Sequence, residues 1–220
     1  MDGIIIVNKP SGITSHDVVS RVRRKLNMRR VGHAGTLDPL ATGVLVILLG
    51  KSTKLFDKFV AFDKAYAATL RLGTQTTSAD ITGEVIEQRP FEHITEGQFK
   101  DVLQQFVGES EQMPPMVSAV KFKGERLYRL ARKGVVVERP TRKIHIGVLN
   151  TVSFNMPEVR FYMECSKGTY VRTLAEDVGT KLGCGACITQ IERTQVGHFH
   201  LRDSVKLEDL NESHVRHWQG

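Results

Sequence analysis

Gly32-His33-Ala34-Gly35-Thr36-Leu37-Asp38-Pro39-Leu40-Ala41-Thr42-Gly43, running straight into Val44-Leu45-Val46-Ile47-Leu48-Leu49, is the stretch from which the rest of the chain can be read. The apolar run reads as a buried strand. The segment before it is too dense in glycine for a helix interior, and glycines at 32, 35 and 43 allow sharp bends or a close approach to a ligand. Asp38 is followed at once by proline, which restricts its backbone. A carboxylate held in a loop against a hydrophobic strand is a common way to position chemistry. Two readings of Asp38 stay open on these residues alone: a catalytic carboxylate, or an Asx turn that caps its own backbone.

At 220 residues the chain can bury a sizeable core, as one domain with or without an insertion. No apolar run is long enough to span a membrane. Ile4-Ile5-Ile6-Val7 is too short for the core of a secretory signal. Three cysteines, Cys165, Cys184 and Cys187, are an odd number that suits a reducing compartment, so a cytoplasmic protein is expected.

The formal charge of +7 is unevenly placed. One basic cluster holds Arg21, Arg23, Arg24, Lys25, Arg29 and Arg30. A second holds Lys121, Lys123, Arg126, Arg129, Arg132, Lys133, Arg139, Arg142 and Lys143, against Glu125 and Glu138 alone. Two basic surfaces on one domain suggest an extended polyanion, with solvated helix faces as the bland alternative.

Around the opening stretch the elements alternate. Ile4 to Val7 reads as a short strand, and Thr14 with Asp17 as a capping box opening a helix striped by Val18, Val19, Val22 and Leu26. Lys51 to Phe59 reads as helix, Ala65 to Leu72 as strand, and Asp80 to Val85 as a hairpin-like turn into another. Thr95 and Gln98 make a second capping box, with Phe99, Val102, Leu103 and Phe106 inward and Gly108 at the helix end. Pro114-Pro115 breaks regular structure, and residues 118–143 are hydrophilic enough to protrude and order against a partner. Ile144 to Phe154 and Val159 to Cys165 suit paired strands. A helix from Tyr170 to Leu182 and strands at Ala186–Ile191 and Val196–Leu201 follow. The class is α+β, with more strands than helices.

Lys167-Gly168-Thr169-Tyr170-Val171-Arg172 sets an aromatic and a guanidinium two residues apart at a strand-to-helix junction. Arg172 suits a carboxylate or phosphate partner and Tyr170 a base, or both simply pack the first helical turn. Tyr66 is a third candidate against an ordinary strand tyrosine, and His33 a nucleic-acid contact against a local hydrogen-bonding group. Cys184-Gly185-Ala186-Cys187 lacks the second pair that a structural zinc site needs, so no metal is expected. Gly50-Lys51-Ser52 lacks the glycine cradle of a phosphate loop.

Taken together these segments resemble the bacterial tRNA pseudouridine-55 synthases of the TruB family. The resemblance rests on Asn8-Lys9-Pro10-Ser11-Gly12-Ile13-Thr14-Ser15, the Asp38 loop, Lys64-Ala65-Tyr66, Pro114-Pro115 with Ser118-Ala119-Val120-Lys121, Gly168-Thr169-Tyr170-Val171-Arg172-Thr173, and Arg193-Thr194. These occur in family order over roughly residues 3 to 210. The Asp38 loop is the specific signal.

The resemblance implies a pseudouridine synthase fold: a central mixed, mostly antiparallel sheet with flanking helices and a basic thumb insertion at about residues 115–145. It places the catalytic domain at 1–210 and a short tail at 211–220, without the family's C-terminal PUA-type domain. It implies a cofactor-free isomerisation of uridine at T-loop position 55 of tRNA. Asp38 is the expected nucleophile, with attack at C1′ of the ribose favoured over C6 of the base. Tyr66 is expected to stack on the flipped base and assist at its C5 proton. Arg172 is expected to pair with Asp38 and keep it ionised.

Lys9, His33, Tyr170 and Ile191 are the expected substrate-binding residues, with Lys9 and Pro10 supporting the active-site loop. Arg21, Arg24, Arg29, Arg30, Lys121, Lys123, Arg126, Arg129, Arg132, Lys133, Arg142 and Lys143 are the expected RNA-binding surface. The partner is the tRNA T-arm, with no membrane, no obligate protein partner and a monomeric chain expected. Val117 stands where relatives carry tyrosine, Glu192-Arg193 where paired arginines are usual, and Gln195 where a basic residue is frequent. Some phosphate attraction is expected to be lost there. An RNA-binding factor without chemistry and a glycosidase are the competing classes; the latter lacks a second constrained acid.

Overall fold

The computed structural model describes residues 1–118, 121, 122, 124–127, 130, 133–135 and 137–218. The chain divides into two units, Met1–Tyr66 with Ile191–Gly220, and Ala67–Gln190. Two strands, β4 (Lys64–Leu72) and β12 (Ala186–Val196), run from one unit into the other.

In the first unit the apolar runs do what their composition dictates. β1 (Gly3–Lys9) and β3 (Thr42–Leu49) pair antiparallel over their whole length, from Gly3 opposite Leu49 to Lys9 opposite Gly43. Both are buried on both faces. Ile4, Ile6, Val44, Val46 and Leu48 join Phe59, Val196 and Phe199 in one core cluster, while Ile5, Val7, Leu45, Ile47 and Leu49 are equally buried. Each such side chain contributes about 1.5–3 kcal/mol of burial. The C-terminal stretch closes the cluster: Trp218 stacks on His198 at 5.1 Å and lies 5.0 Å from Phe59. Arg216 exchanges backbone hydrogen bonds with Ile4 at 2.9 Å.

β14 (Val205–Lys206) adds parallel to β1, and β13 (Phe199–His200) pairs antiparallel with β12. The other edge of β3 is shared. β2 (Val31–Ala34) occupies it from Val46 to Leu49, and β12 takes it parallel at Thr42 and Gly43. The Asp38 loop is the excursion that opens room for β12 there. Gly43 makes the close approach possible, because a Cβ on it would stand 2.3 Å from the Arg193 carbonyl oxygen.

α1 (Ser15–Lys25) carries the expected Thr14–Asp17 capping box and buries Val18, Val19 and Val22. The expected helix at Lys51 to Phe59 is two pieces, a 3₁₀ helix at Gly50–Leu55 and α2 at Phe56–Val60. The expected strand at Val196–Leu201 is also corrected. β12 continues unbroken to Val196, then Gly197, in the left-handed region at φ +55°, turns the chain into β13 and a 3₁₀ turn at Leu201–Asp203.

The second unit has strand order β12-β4-β11-β10-β7, with β11 (Glu158–Cys165), β10 (Arg142–Asn155) and β7 (Gly108–Gln112). β10 pairs antiparallel with β11 and with β7, and Val159, Phe161, Met163 and Cys165 alternate inward as expected. α3 (Glu96–Gln104) has its Thr95–Gln98 capping box and buries Phe99 and Leu103. Gly108 does not cap it; at φ +99° that glycine opens β7. α4 (Val171–Lys181) buries Val171, Leu174, Ala175 and Val178.

Two hairpins complete the second unit, β5 (Thr74–Thr76) with β6 (Val85–Gln88), and β8 (Lys121–Phe122) with β9 (Glu125–Arg126). The basic stretch is thus not uniformly protruding. Arg142 and Lys143 belong to β10 and pair with Gln112 and Glu111, and Leu127 is buried. No helix among the described residues is long and apolar enough to cross a membrane.

Candidate active site

The Asp38 loop is braced along its length. Gly35, at φ +83°, turns the chain out of β2. The Ala41 amide donates to the Asp38 carbonyl at 3.1 Å, closing a four-residue turn with proline in its second position, where its fixed φ is favoured. Leu37 and Ala41 on either side of Asp38 are buried and anchor it.

The segment Lys9–Ser15 clamps this turn from below, residue by residue. The Gly12 amide donates to the Pro39 carbonyl at 2.8 Å, and Ser11 Oγ to the Leu40 carbonyl at 3.0 Å. Ser15 Oγ both donates to the Leu37 carbonyl at 3.0 Å and accepts from its amide at 2.9 Å. Lys9 is fully buried, and its ammonium donates to the carbonyls of Pro10, Pro39 and Ala41 at 2.8, 3.3 and 2.7 Å. It braces the loop from within. Burial pushes Lys9 down to about 8, against the pull of the Asp38 carboxylate and with the push of the Arg193 cation.

Arg193 completes the support. Its Nε donates to the Val44 carbonyl at 2.7 Å and its Nη2 to the Gly35 carbonyl at 2.9 Å, from a side chain 1% exposed. Of the Glu192-Arg193 pair, Arg193 is thus turned into the fold, with Nε and Nη2 on backbone carbonyls. Lys9 and Arg193 are thus two buried cations beneath one loop carrying a carboxylate.

Tyr66 on β4 and Ile191 on β12 belong to the same unit and are buried, at 8% and 9% exposure, so each presents only an edge to solvent. His33 on β2 is half-buried.

In the second unit Tyr170 is the N-cap of α4, without a side-chain cap. Gln112 on β7 holds the backbone of Tyr170 itself: its Oε1 accepts from the Tyr170 amide at 2.7 Å and its Nε2 donates to the Tyr170 carbonyl at 3.0 Å. Arg172, in the first turn of α4, is 3% exposed. Its Nη1 donates to the Ser78 carbonyl at 2.8 Å and its Nη2 to the Val117 carbonyl at 2.7 Å. The Asp80 carboxylate stands 3.7 Å from Arg172 Nη1 and accepts from Ser78 Oγ, Thr82 N and Thr82 Oγ1.

Sequence reading passed over Ser15, Asp80, Gln112 and the bracing role of Arg193. Only Asp80 left a local trace, since Ser78-x-Asp80-x-Thr82 is Asx-turn chemistry. Among the expected RNA-facing residues Arg21, Arg24, Arg29, Arg30, Lys133, Arg142 and Lys143 are exposed. Lys133 is paired with Glu125 at 2.8 Å. Lys123, Arg129 and Arg132 lie outside the described residues. The three cysteines are buried and none is in a disulfide among the described residues, and burial pushes the Cys184 and Cys187 thiols up.

A family model described as TruB family pseudouridylate synthase (N terminal domain) matches residues 23–171, and one described as tRNA pseudouridylate synthase B C-terminal domain matches 172–219. The tRNA pseudouridine synthase B of Clostridium tetani is 47% identical over 216 residues, which are 98% of this chain and 75% of that protein. Its counterpart in Opitutus terrae is 46% identical over 210 residues, 96% of this chain and 87% of the relative. A crystal structure of a Cbf5-Nop10-Gar1 complex contains a chain 30% identical, with a TM-score of 0.74 over 94% of this chain and 53% of that one. This chain thus spans about half the length of that solved chain, and the sheet and flanking helices described above are the pseudouridine synthase fold. The chain belongs to the TruB family of pseudouridylate synthases.

Proposed function

We propose that this chain converts the uridine at T-loop position 55 of tRNA to pseudouridine, with Asp38 as nucleophile and no cofactor. One observation supports this above the others: Asp38 is set in a loop held by Lys9, Ser11, Gly12, Ser15 and Arg193, all of which bond to its neighbours. A carboxylate so fixed meets a reacting carbon with little reorganisation, which is where positioned catalysis gains its rate. The tRNA substrate is taken from the names of the relatives from Clostridium tetani and Opitutus terrae.

The target nucleotide leaves the stack to reach the site, at a cost of a few kcal/mol that stacking and edge contacts offset. Asp38 attacks C1′ of the ribose as the C1′–N1 bond breaks, leaving a glycosyl ester and a uracil anion. The uracil turns, its C5 attacks C1′, and the carboxylate leaves. The C5 proton then leaves and N1 takes up a proton, which restores the aromatic base, so the cycle is an isomerisation with no net gain or loss. Tyr66 stacks on the base and assists at that proton. Arg172, Tyr170, His33 and Ile191 keep in this proposal the roles that the resemblance implies, and Lys9 acts through the loop.

The test is a tRNA transcript carrying tritium at uridine C5, incubated with the chain and with its Asp38→Ala variant. Tritium release with pseudouridine mapped to position 55, abolished in the variant, is expected. Release by the variant, or release of free uracil, overturns the assignment.

A further inference from the structure

The expected RNA surface contains one place that is concave rather than merely basic. Asn8, Pro10, Arg21, Arg24, Lys25, Lys206, Leu207 and Glu208 line a groove of about 390 Å³ between α1 and the β14 edge of the first unit. Its construction follows from the fold. β14 pairs parallel with β1, setting Lys206 opposite Asn8. On α1, residues 21, 24 and 25 share one face at i, i+3 and i+4. Val18, Val19 and Val22 are buried in the core, and the exposed Arg21, Arg24 and Lys25 flank that stripe along the groove. The Lys25 ammonium donates to the Glu208 carbonyl and ties the two walls together.

The charge balance is one-sided. Four cationic side chains meet one carboxylate, that of Glu208. Among the described residues no ion pair neutralises Arg24 or Lys206, and Asp17, one turn from Arg21, is committed to the cap with Thr14. Asn8 adds an amide donor at the half-buried floor. Guanidinium forks, an ammonium and an amide converging on one concavity suit the oxygens of a phosphodiester.

Position turns the groove into a specific claim. α1 begins at Ser15, which is bonded to Leu37 next to the nucleophile. At 1.5 Å per residue, Arg21 and Lys25 lie about 9 and 15 Å further along the helix axis. We infer that this groove grips backbone phosphates of the substrate RNA a few nucleotides from the uridine presented to Asp38. This rests on the function proposed above, and phosphate contacts of this kind set register without reading sequence.

The test compares Arg24→Ala/Lys206→Ala with a control of equal charge change at exposed sites elsewhere, Lys54→Ala/Lys100→Ala. With tRNA as substrate, the groove variant is expected to raise KM tenfold or more with kcat within twofold. Its log affinity against log salt loses about one unit of slope for each phosphate released, and the control keeps both values. A T-arm stem-loop with single methylphosphonates walked along the backbone then locates the contact. One or two neutral positions weaken binding to the Asp38→Ala protein but add nothing when the groove substitutions are also present. The inference is overturned if the groove variant matches the control, or if every methylphosphonate weakens both proteins equally. RNA binding without tritium release refutes the proposed reaction, while the coupling between methylphosphonate and variant still decides the groove.

Discussion

Arg193 Nη2 reaches the Gly35 carbonyl at 2.9 Å while its Nε holds the Val44 carbonyl at 2.7 Å, so one buried guanidinium joins the two ends of the Asp38 loop. The residue comes from β12, far along the chain, and arrives because β12 docks on β3 at Thr42 and Gly43. The loop geometry is therefore a property of the closed sheet rather than of the loop sequence.

Arg193→Met keeps the aliphatic bulk and removes both donors. Each buried carbonyl left without a partner costs about 1–3 kcal/mol, so for the two a loss of about 2–6 kcal/mol in urea unfolding is expected. Because the Arg193 cation pushes Lys9 down, Lys9 also moves back toward its ordinary value in this variant. Arg193→Lys, which keeps one donor and the charge, is expected to lose less than half as much. Equal losses in both would show that fork geometry, not charge, is what the site needs.

Lys9 gives a pH signature. Its value of about 8 in the folded protein lies below the ordinary 10.5. Between those two values the unfolded chain binds more protons, so the contribution of Lys9 to stability rises with pH across that window. Below pH 8 both states are protonated and the contribution is flat and unfavourable. The difference in unfolding free energy between the wild type and Lys9→Met is expected to climb from pH 8 to 10.5, by no more than about 3 kcal/mol. A flat or falling difference would mean that the bonds to Pro10, Pro39 and Ala41 outweigh burial.

Gln112 carries a third expectation. Its amide holds both the N–H and the carbonyl of Tyr170 at the start of α4, where no side-chain cap exists. Gln112→Ala is expected to cost about 1–3 kcal/mol and to speed amide hydrogen exchange in the first turn of α4. Gln112→Glu keeps the acceptor but turns an oxygen toward the Tyr170 carbonyl, so it should rescue little. Unchanged exchange in both variants would remove Gln112 from the support of Tyr170.

What the sequence made legible was local. The β3 run, both capping boxes and the alternation of β11 are determined within a few residues, and each formed as read. β2 and β7 were not readable, because Val-Gly-His-Ala and Gly-Glu-Ser-Glu-Gln have little strand character and become strands only through β3 and β10. The candidate site divides the same way. The Asp38 turn was readable from its own residues, and the bracing by Lys9 from the resemblance. Arg193 and Gln112 act on residues 158 and 58 positions away, which no local pattern reports.

Asp80 and Arg172 provide the last expectation. The pair is buried, with side chains 6% and 3% exposed, and its 3.7 Å separation is longer than a hydrogen bond. The guanidinium is meanwhile fixed by the carbonyls of Ser78 and Val117, and the carboxylate by Ser78 and Thr82. Asp80→Asn keeps an oxygen for Thr82 but leaves the Arg172 cation without that anion. Breaking a buried pair costs about 3–5 kcal/mol, and the lower end is expected because the backbone still satisfies the guanidinium. Asp80→Ala should lose about 1 kcal/mol more, the worth of the turn. If Arg172 serves the reaction, Asp80→Asn also lowers kcat for pseudouridine formation tenfold or more with KM within threefold. A stability loss at unchanged kcat would make the pair a packing device. Wild-type stability in Asp80→Asn would mean that the carboxylate serves the turn at Ser78–Thr82 and nothing else.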